Sequence, residues 1–248
     1  WLNLGGWLRD GLRRQWRLMQ ERLLVCAGRK ADPFFTFEDL HRLHQQHGLA
    51  PVFFFLLGDW GPYDKNIKPA VPAFQALLRQ LAAQAREVGL HPSFLANTKA
   101  GQLEKEARRF EQIIGQPVRH SRQHFLALRF PHTYQRLLSI GVGHDYTMGF
   151  ADAVGFRAGL TTTFPWYDLE HERVEPLLIH PFAAMDTTLR KYMGLSPEAA
   201  LTELCALADA VRATGGDFAT LWHNSSFSDH HDWHGWREVY EKAVSYSR

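Results

Sequence analysis

A short apolar run recurs along this chain, and each copy closes on a polar residue. Residues 51–59 (PVFFFLLGD) end in Asp59, 87–96 (EVGLHPSFLA) carry His91, and 118–125 (VRHSRQHF) carry Arg122 and His124. Further on, GHDYTMG carries Asp145, GFRAG carries Arg157, LLIHPFAAMD ends in Asp186 and FATLWHN ends in Trp222, His223 and Asn224. Runs this short, bounded by Gly, Pro or a helical stretch, read as buried strands. VFFFLL does not alternate, so it needs cover on both faces, as parallel strands do. Helical patterns fall between several runs, which predicts a parallel sheet with right-handed crossovers. In an α/β barrel the C-terminal ends of the strands are where sites are built, so His91, His124, Asp145, Asp186 and His223 are expected to converge there.

The 248 residues suit one large unit, and with no linker, low-complexity tract or repeat, residues 1–248 read as a single domain. Lys and Arg number 28 against 26 Asp and Glu, a net charge of +2, so nucleic acid is not the expected partner. No run of about 20 apolar residues occurs and the start lacks a charged-then-apolar leader pattern, so the chain reads as soluble, its compartment open. Cys26 and Cys205 lie in helical contexts without CxxC spacing and are expected to be buried free thiols.

Residues 1–28 read as an amphipathic helix on Trp7, Leu8, Leu12, Trp16, Met19, Leu23 and Leu24. Thr36 reads as the N-cap of the next helix, on which His41, His44 and His47 share a wet face. His91 is open to two readings, a core histidine bonded to backbone or a metal ligand. Arg122 at a buried strand end needs a carboxylate partner, and Asp145 is the candidate. His223 has the side chain best suited to general-acid chemistry near neutrality. Trp60, Trp166 and Trp222 could stack on sugars or simply pack.

The ordered set TFEDL, FFFLLGD, VGLHPS, SRQHF, DYTMGF, GFRAG and WHN resembles the NodB-like polysaccharide deacetylase superfamily, in a divergent bacterial branch, over nearly the whole chain. The resemblance implies a distorted (β/α) barrel that removes acetyl groups from a polysaccharide or oligosaccharide. It also implies a divalent metal, commonly zinc, held by an Asp and two His, with a second Asp as base and a His as acid. His91 then matches the first metal-binding His, while Leu95 stands where the second is expected and His124 is a replacement ligand. Arg122 and Asp145 match the Arg that orients the base and its acidic partner, and His223 matches the catalytic acid. Asp59, Arg157, Asp186, Trp222 and Asn224 are left as substrate contacts.

The superfamily's first strand, with its paired aspartates, has no counterpart in this reading, and the catalytic Asp is expected to precede Trp1. Residues 51–57 should then form an edge prone to aggregation or dimerisation. The opposite expectation is a first strand over 34–37 that makes Glu38 and Asp39 the site carboxylates. Two rivals stay open: a catalytically silent carbohydrate-binding homologue, and a barrel enzyme for an anionic small molecule, suggested by the two arginines.

Overall fold

The computed structural model describes residues 10–12 and 14–247. Trp7 and Leu8 of the expected first helix lie outside them; helix α1 spans Trp16–Cys26. Helix α2 (Phe37–Gln46) follows, then β1 (Val52–Phe55), α3 (Pro72–Gln84), β2 (Glu87–Leu90), α4 (Gln102–Ile114) and β3 (His120–Ser121). Next come α5 (His132–Ser139), β4 (His144–Asp145), β5 (Phe164–Asp168), β6 (Arg173–Ile179) and β7 (Ala184–Met185). Helix α6 (Pro197–Thr214), β8 (Thr220–Leu221) and α7 (Trp236–Tyr246) complete the order. Among these residues no helix is long and apolar enough to cross a membrane.

The sheet is mixed, in the order β1-β2-β3-β4-β6-β5, with β7-β8 as a separate parallel pair. All pairings but β5–β6 are parallel. Among the described residues β1 pairs only with β2, so the unpaired edge expected at residues 51–57 is present. LLIHPFAAMD is not one strand: β6 stops at Ile179 and β7 starts at Ala184, because His180 and Pro181 turn the chain into the second sheet.

Three apolar clusters follow from this order. Helices α3, α4 and α5 cover one sheet face through Leu78, Leu81, Phe110, Ile113, Tyr134 and Leu137, packed on Phe55, Val88, Leu90 and Ile179. Helices α6 and α7 close on Ala184 and Leu189 through Leu204, Trp236 and Val239. Leu126, Phe182, Met185 and Leu221 form a small third cluster. Strand periodicity sends Val88 and Leu90 into the first cluster and Gly89 to the other face, beside Phe54.

Gly89 is there because nothing larger fits. A Cβ would lie 2.6 Å from the His120 carbonyl oxygen and 2.8 Å from the Phe54 ring. Gly89→Ala is therefore expected to lower stability by about 1–3 kcal/mol, the usual cost of forcing a methyl into a packed site, read as a shift in urea midpoint at unchanged slope. An unchanged midpoint would show that the two strands separate freely.

Several local expectations are corrected. Residues 34–37 are not a strand: Phe37 opens α2 and Glu38 and Asp39 sit in its first turn, so the strand that was to make them site carboxylates does not form. Thr36 does not cap α2 with its side chain; its Oγ1 donates to the Asn224 carbonyl at 3.0 Å. His44 is buried rather than wet, bonded to the Tyr240 hydroxyl at 2.9 Å. Both cysteines are free, but Cys26 is exposed and Cys205 half-buried.

Candidate active site

The sheet places its polar residues by one rule: strands end, and the next residue or two faces the rim. His91 follows β2, Arg122 follows β3, Asp145 closes β4, Asp186 follows β7 and His223 comes two residues after β8. The parallel register Ala184↔Thr220 and Met185↔Leu221 brings the last two strand ends side by side. That register sets His223 against Asp186. His223 Nδ1 lies 2.7 Å from Asp186 Oδ1, and the His223 backbone N–H donates to Oδ2 at 2.7 Å. Asp186 is wholly buried while the imidazole is half-exposed, so one edge of the ring is anchored and the other is open.

Burial opposes charge on His223, but the Asp186 carboxylate outweighs it by charge and hydrogen bond, and the imidazole pKa lies above its ordinary value despite the Arg122 charge nearby. Burial likewise works against ionised Asp186, and His223 reverses it, holding the carboxyl below its usual range. Asp186 was expected to contact substrate; the structure makes it the partner of His223.

His91 and His124 form a second arrangement, with ring centroids 5.0 Å apart. His91 Nδ1 is 2.5 Å from the Arg122 carbonyl oxygen, which can only accept, so that nitrogen carries the proton and Nε2 keeps its lone pair. His124 Nδ1 is 2.8 Å from Asp64 Oδ1, and the carboxylate fixes its tautomer in the same way. Burial first, then the neighbouring His124 charge, holds the His91 pKa down to about 3, so the ring is neutral at pH 7. Neutral imidazoles whose far nitrogens are pinned by carboxylate or carbonyl are the usual form of metal-binding histidines. The charge of His223 is felt at His91, and that of Arg122 at His223, so all four share one electrostatic neighbourhood.

The expected Arg122–Asp145 ion pair does not form within 4 Å among the described residues. Arg122 Nε instead donates to the Tyr146 carbonyl at 3.0 Å, and the guanidinium lies 4.5 Å from the Phe54 ring centroid. Asp145 accepts from the Thr147 backbone N–H at 2.9 Å and from Thr147 Oγ1 at 2.8 Å. Its full burial lifts the carboxyl to about 6, with Thr147 and Arg122 pulling the other way. Arg122 is itself lowered to about 10 by burial, with Asp145 opposing.

Other expected contacts turn elsewhere. Asp59 is taken by α4, bonded to Lys105 Nζ at 2.8 Å and Arg109 at 2.6 Å. Trp222 is half-buried, packed on Phe227 and Tyr240 with its indole N–H on Thr220, and Trp166 is buried against Tyr134. Asn224 Nδ2 holds the Phe34 carbonyl at 3.2 Å, and Arg157 is exposed in the loop between β4 and β5.

Sequence reasoning missed Asp64, which orients His124 and also accepts from the Phe94 N–H at 3.0 Å. It also missed Glu106, wholly buried, which grips the residue two beyond His91 by accepting from the Ser93 N–H at 2.9 Å and Oγ at 2.6 Å. The signal available for Asp64 was its place in the polar DWGPYDKN loop after an apolar strand. Beside the rim, Phe125 and Leu126 both have positive φ, 58° and 51°, at a cost of about 1–3 kcal/mol each for such a conformation.

Among the described residues, three metal-ligating groups within 4.8 Å of one another occur only at Asp168, Glu170 and His171. They lie in the β5–β6 turn at the opposite end of the sheet, about 20 Å from the Ile179 end along six residues of β6. Asp168 is bonded there to His171 at 2.9 Å and to Gln135 at 3.1 Å.

On the sheet face away from α3–α5, His120 stacks on His144, and His144 Nδ1 lies 2.9 Å from His180 Nε2. Burial, then the His144 and His120 charges, lowers His180 to about 4 from an ordinary 6.5. A histidine lowered on folding binds its proton in the unfolded chain first, so its contribution is complete above pH 6.5 and is lost as pH falls toward 4. His44, held at about 4 chiefly by burial, and His91 act in the same sense. His120, lowered chiefly by burial, adds to these three, while Asp145 and Glu106, both raised by burial, and His223, raised by Asp186, oppose them. The urea midpoint is expected to fall steadily between pH 6.5 and 4; a midpoint that is flat or rises over that range contradicts this balance.

No family model matches this chain, and no curated protein matches it. Among solved structures, a crystal structure of an inferred polysaccharide deacetylase from Mycobacterium smegmatis superimposes with a TM-score of 0.62. The two are 15% identical, and the match covers 90% of this chain and 78% of the other. At that identity the likeness establishes a shared fold.

Proposed function

We propose that this chain is a hydrolase that removes acetyl groups from a glycan, with a divalent metal, zinc by its donor set, at His91 and His124. The observation that carries the reading is the Asp186–His223 pair on the same strand-end rim as the two pinned imidazoles. The shared fold with an inferred polysaccharide deacetylase supports it.

His91 and His124 fit as two of the usual three protein donors of a catalytic zinc centre, since both present Nε2 lone pairs from fixed rings. Such a metal supplies Lewis acidity to the acetyl carbonyl and lowers the pKa of water toward ~7. The chain's own residues do the rest. Asp64 and the Arg122 carbonyl keep both rings in the ligating tautomer. Asp186 raises the His223 pKa above its ordinary value and so favours the protonated ring, whose open nitrogen can deliver a proton to the leaving amine or alkoxide as the carbonyl–nitrogen or carbonyl–oxygen bond breaks.

A second reading is favoured by the cationic rim: Arg122 is half-buried and makes no ion pair among the described residues, which suits an anionic ligand. Calorimetric titration with acetylated and with phosphorylated sugars separates the two. The deacetylase reading expects the acetylated sugar to bind and acetate to appear; tight binding of the phosphorylated sugar with no acetate from the other supports the anionic reading.

A further inference from the structure

Three segments bring aromatic rings to the edge of the imidazole pair. Tyr63 comes from the loop after β1, Phe94 from the turn after His91, and Phe125 directly follows His124. Tyr63 and Phe94 centroids are 4.4 Å apart, Phe94 and Phe125 5.7 Å, and Phe125 is 4.3 Å from the His124 ring. Tyr63 is nevertheless 58% exposed and Phe125 53%. The backbone works to keep Phe125 there. Two successive non-glycine residues take left-handed φ, Leu126 drops into the cluster with Phe182, Met185 and Leu221, and Phe125 is lifted out beside His124. Strain of this kind points to a use for the side chain it presents.

The Tyr63 and Phe125 planes stand at 90° with centroids 6.2 Å apart, so together they make a corner and not one flat surface. We propose that Tyr63 and Phe125, backed by Phe94, form an L-shaped aromatic platform for a sugar ring of the glycan, one ring stacking on its face and the other walling its edge, and set its acetyl group against His91, His124 and His223. The proposal rests on the deacetylase reading and names how that site holds its substrate. Flat rings with two side-chain torsions lose little freedom on binding, and their faces match the apolar C–H face of a pyranose. Tyr63 adds a hydroxyl able to bond a sugar hydroxyl. Both are positioning residues. A fatty acyl chain would also cover exposed rings and is the competing occupant.

The test uses the full chain with two probes, a fully N-acetylated pentamer of β-1,4-linked glucosamine and octanoate. Tyr63→Ala and Phe125→Gly are each expected to weaken pentamer binding about tenfold, the scale of one lost aromatic face, and to raise KM with kcat changing less than twofold. Phe125→Gly also removes a strained side chain, so its melting temperature should stay within about 2 °C of wild type or rise, where a merely structural Phe125 would lower it. Wild-type pentamer affinity in both variants overturns the platform, as does octanoate bound more tightly than the pentamer, or a wild type that does not bind the pentamer. A wild type that binds the pentamer through these rings but releases no acetate keeps the platform and refutes the deacetylase reading. Acetate release with unchanged KM in both variants does the reverse.

Discussion

Asp186→Asn is expected to lower acetate release about a hundred- to ten-thousandfold, while glycan binding stays close to wild type. The wild-type carboxylate accepts twice from His223, at Nδ1 and at the backbone N–H, both at 2.7 Å. An amide in its place has one acceptor and one donor. With its oxygen on the backbone N–H the amide donates to Nδ1, which reverses the ring bond and puts the neutral ring's proton on Nε2; with its oxygen on Nδ1 the backbone bond is lost. The charge that holds the His223 pKa above its ordinary value disappears as well. A group whose pKa falls keeps its proton only to lower pH, so the limb on which the acid form is lost should move down in the variant. The check is a kcat–pH profile beside a circular dichroism spectrum. Unchanged kcat in a folded variant would remove His223 from the chemistry.

His91→Ala is expected to weaken zinc binding by at least about a hundredfold, measured by competition with a chromogenic chelator, and to abolish acetate release. The ring supplies one of the two imidazoles brought together here. Leu95, one turn further along, is 40% exposed and carries no donor. The loop that carries His91 is held from below by Glu106 through Ser93, so the ring can be lost without losing the loop. Zinc affinity equal to wild type would place any metal elsewhere, the Asp168–Glu170–His171 turn being the other cluster.

The rim was legible because short apolar runs fix where strands stop, and a residue just past a strand end has little choice of direction. His91, Arg122, Asp145, Asp186 and His223 were all placed that way. Their pairing was not legible. Asp145 looked like the partner of Arg122, but Thr147, two residues on, bonds its carboxylate from both backbone and side chain, a local contact that outcompetes the distant cation. Asp186 looked like a substrate contact because the β7–β8 register, which sets it against His223, exists only in three dimensions. Asp59 stands at a strand end too, yet Lys105 and Arg109 lie one turn apart on α4 and capture it. Asp64 was marked only by its polar loop after an apolar strand, which does not separate it from its neighbours, and Phe125 carries no mark of its left-handed backbone. The helices α3, α4 and α6 fall between the apolar runs, where helical patterns were expected, because spacing of three to four survives any tertiary context.

The central claim is that this rim hydrolyses acetyl groups with a metal at His91 and His124. Its most direct test is acetate, followed by proton NMR, from an N-acetylated oligosaccharide incubated with the zinc-loaded wild-type protein. The expected result is many acetates per protein molecule, stopped by a chelator and restored by zinc. Acetate at the background rate in zinc-loaded protein that binds the oligosaccharide would contradict it, and would leave a binding protein built on the same fold.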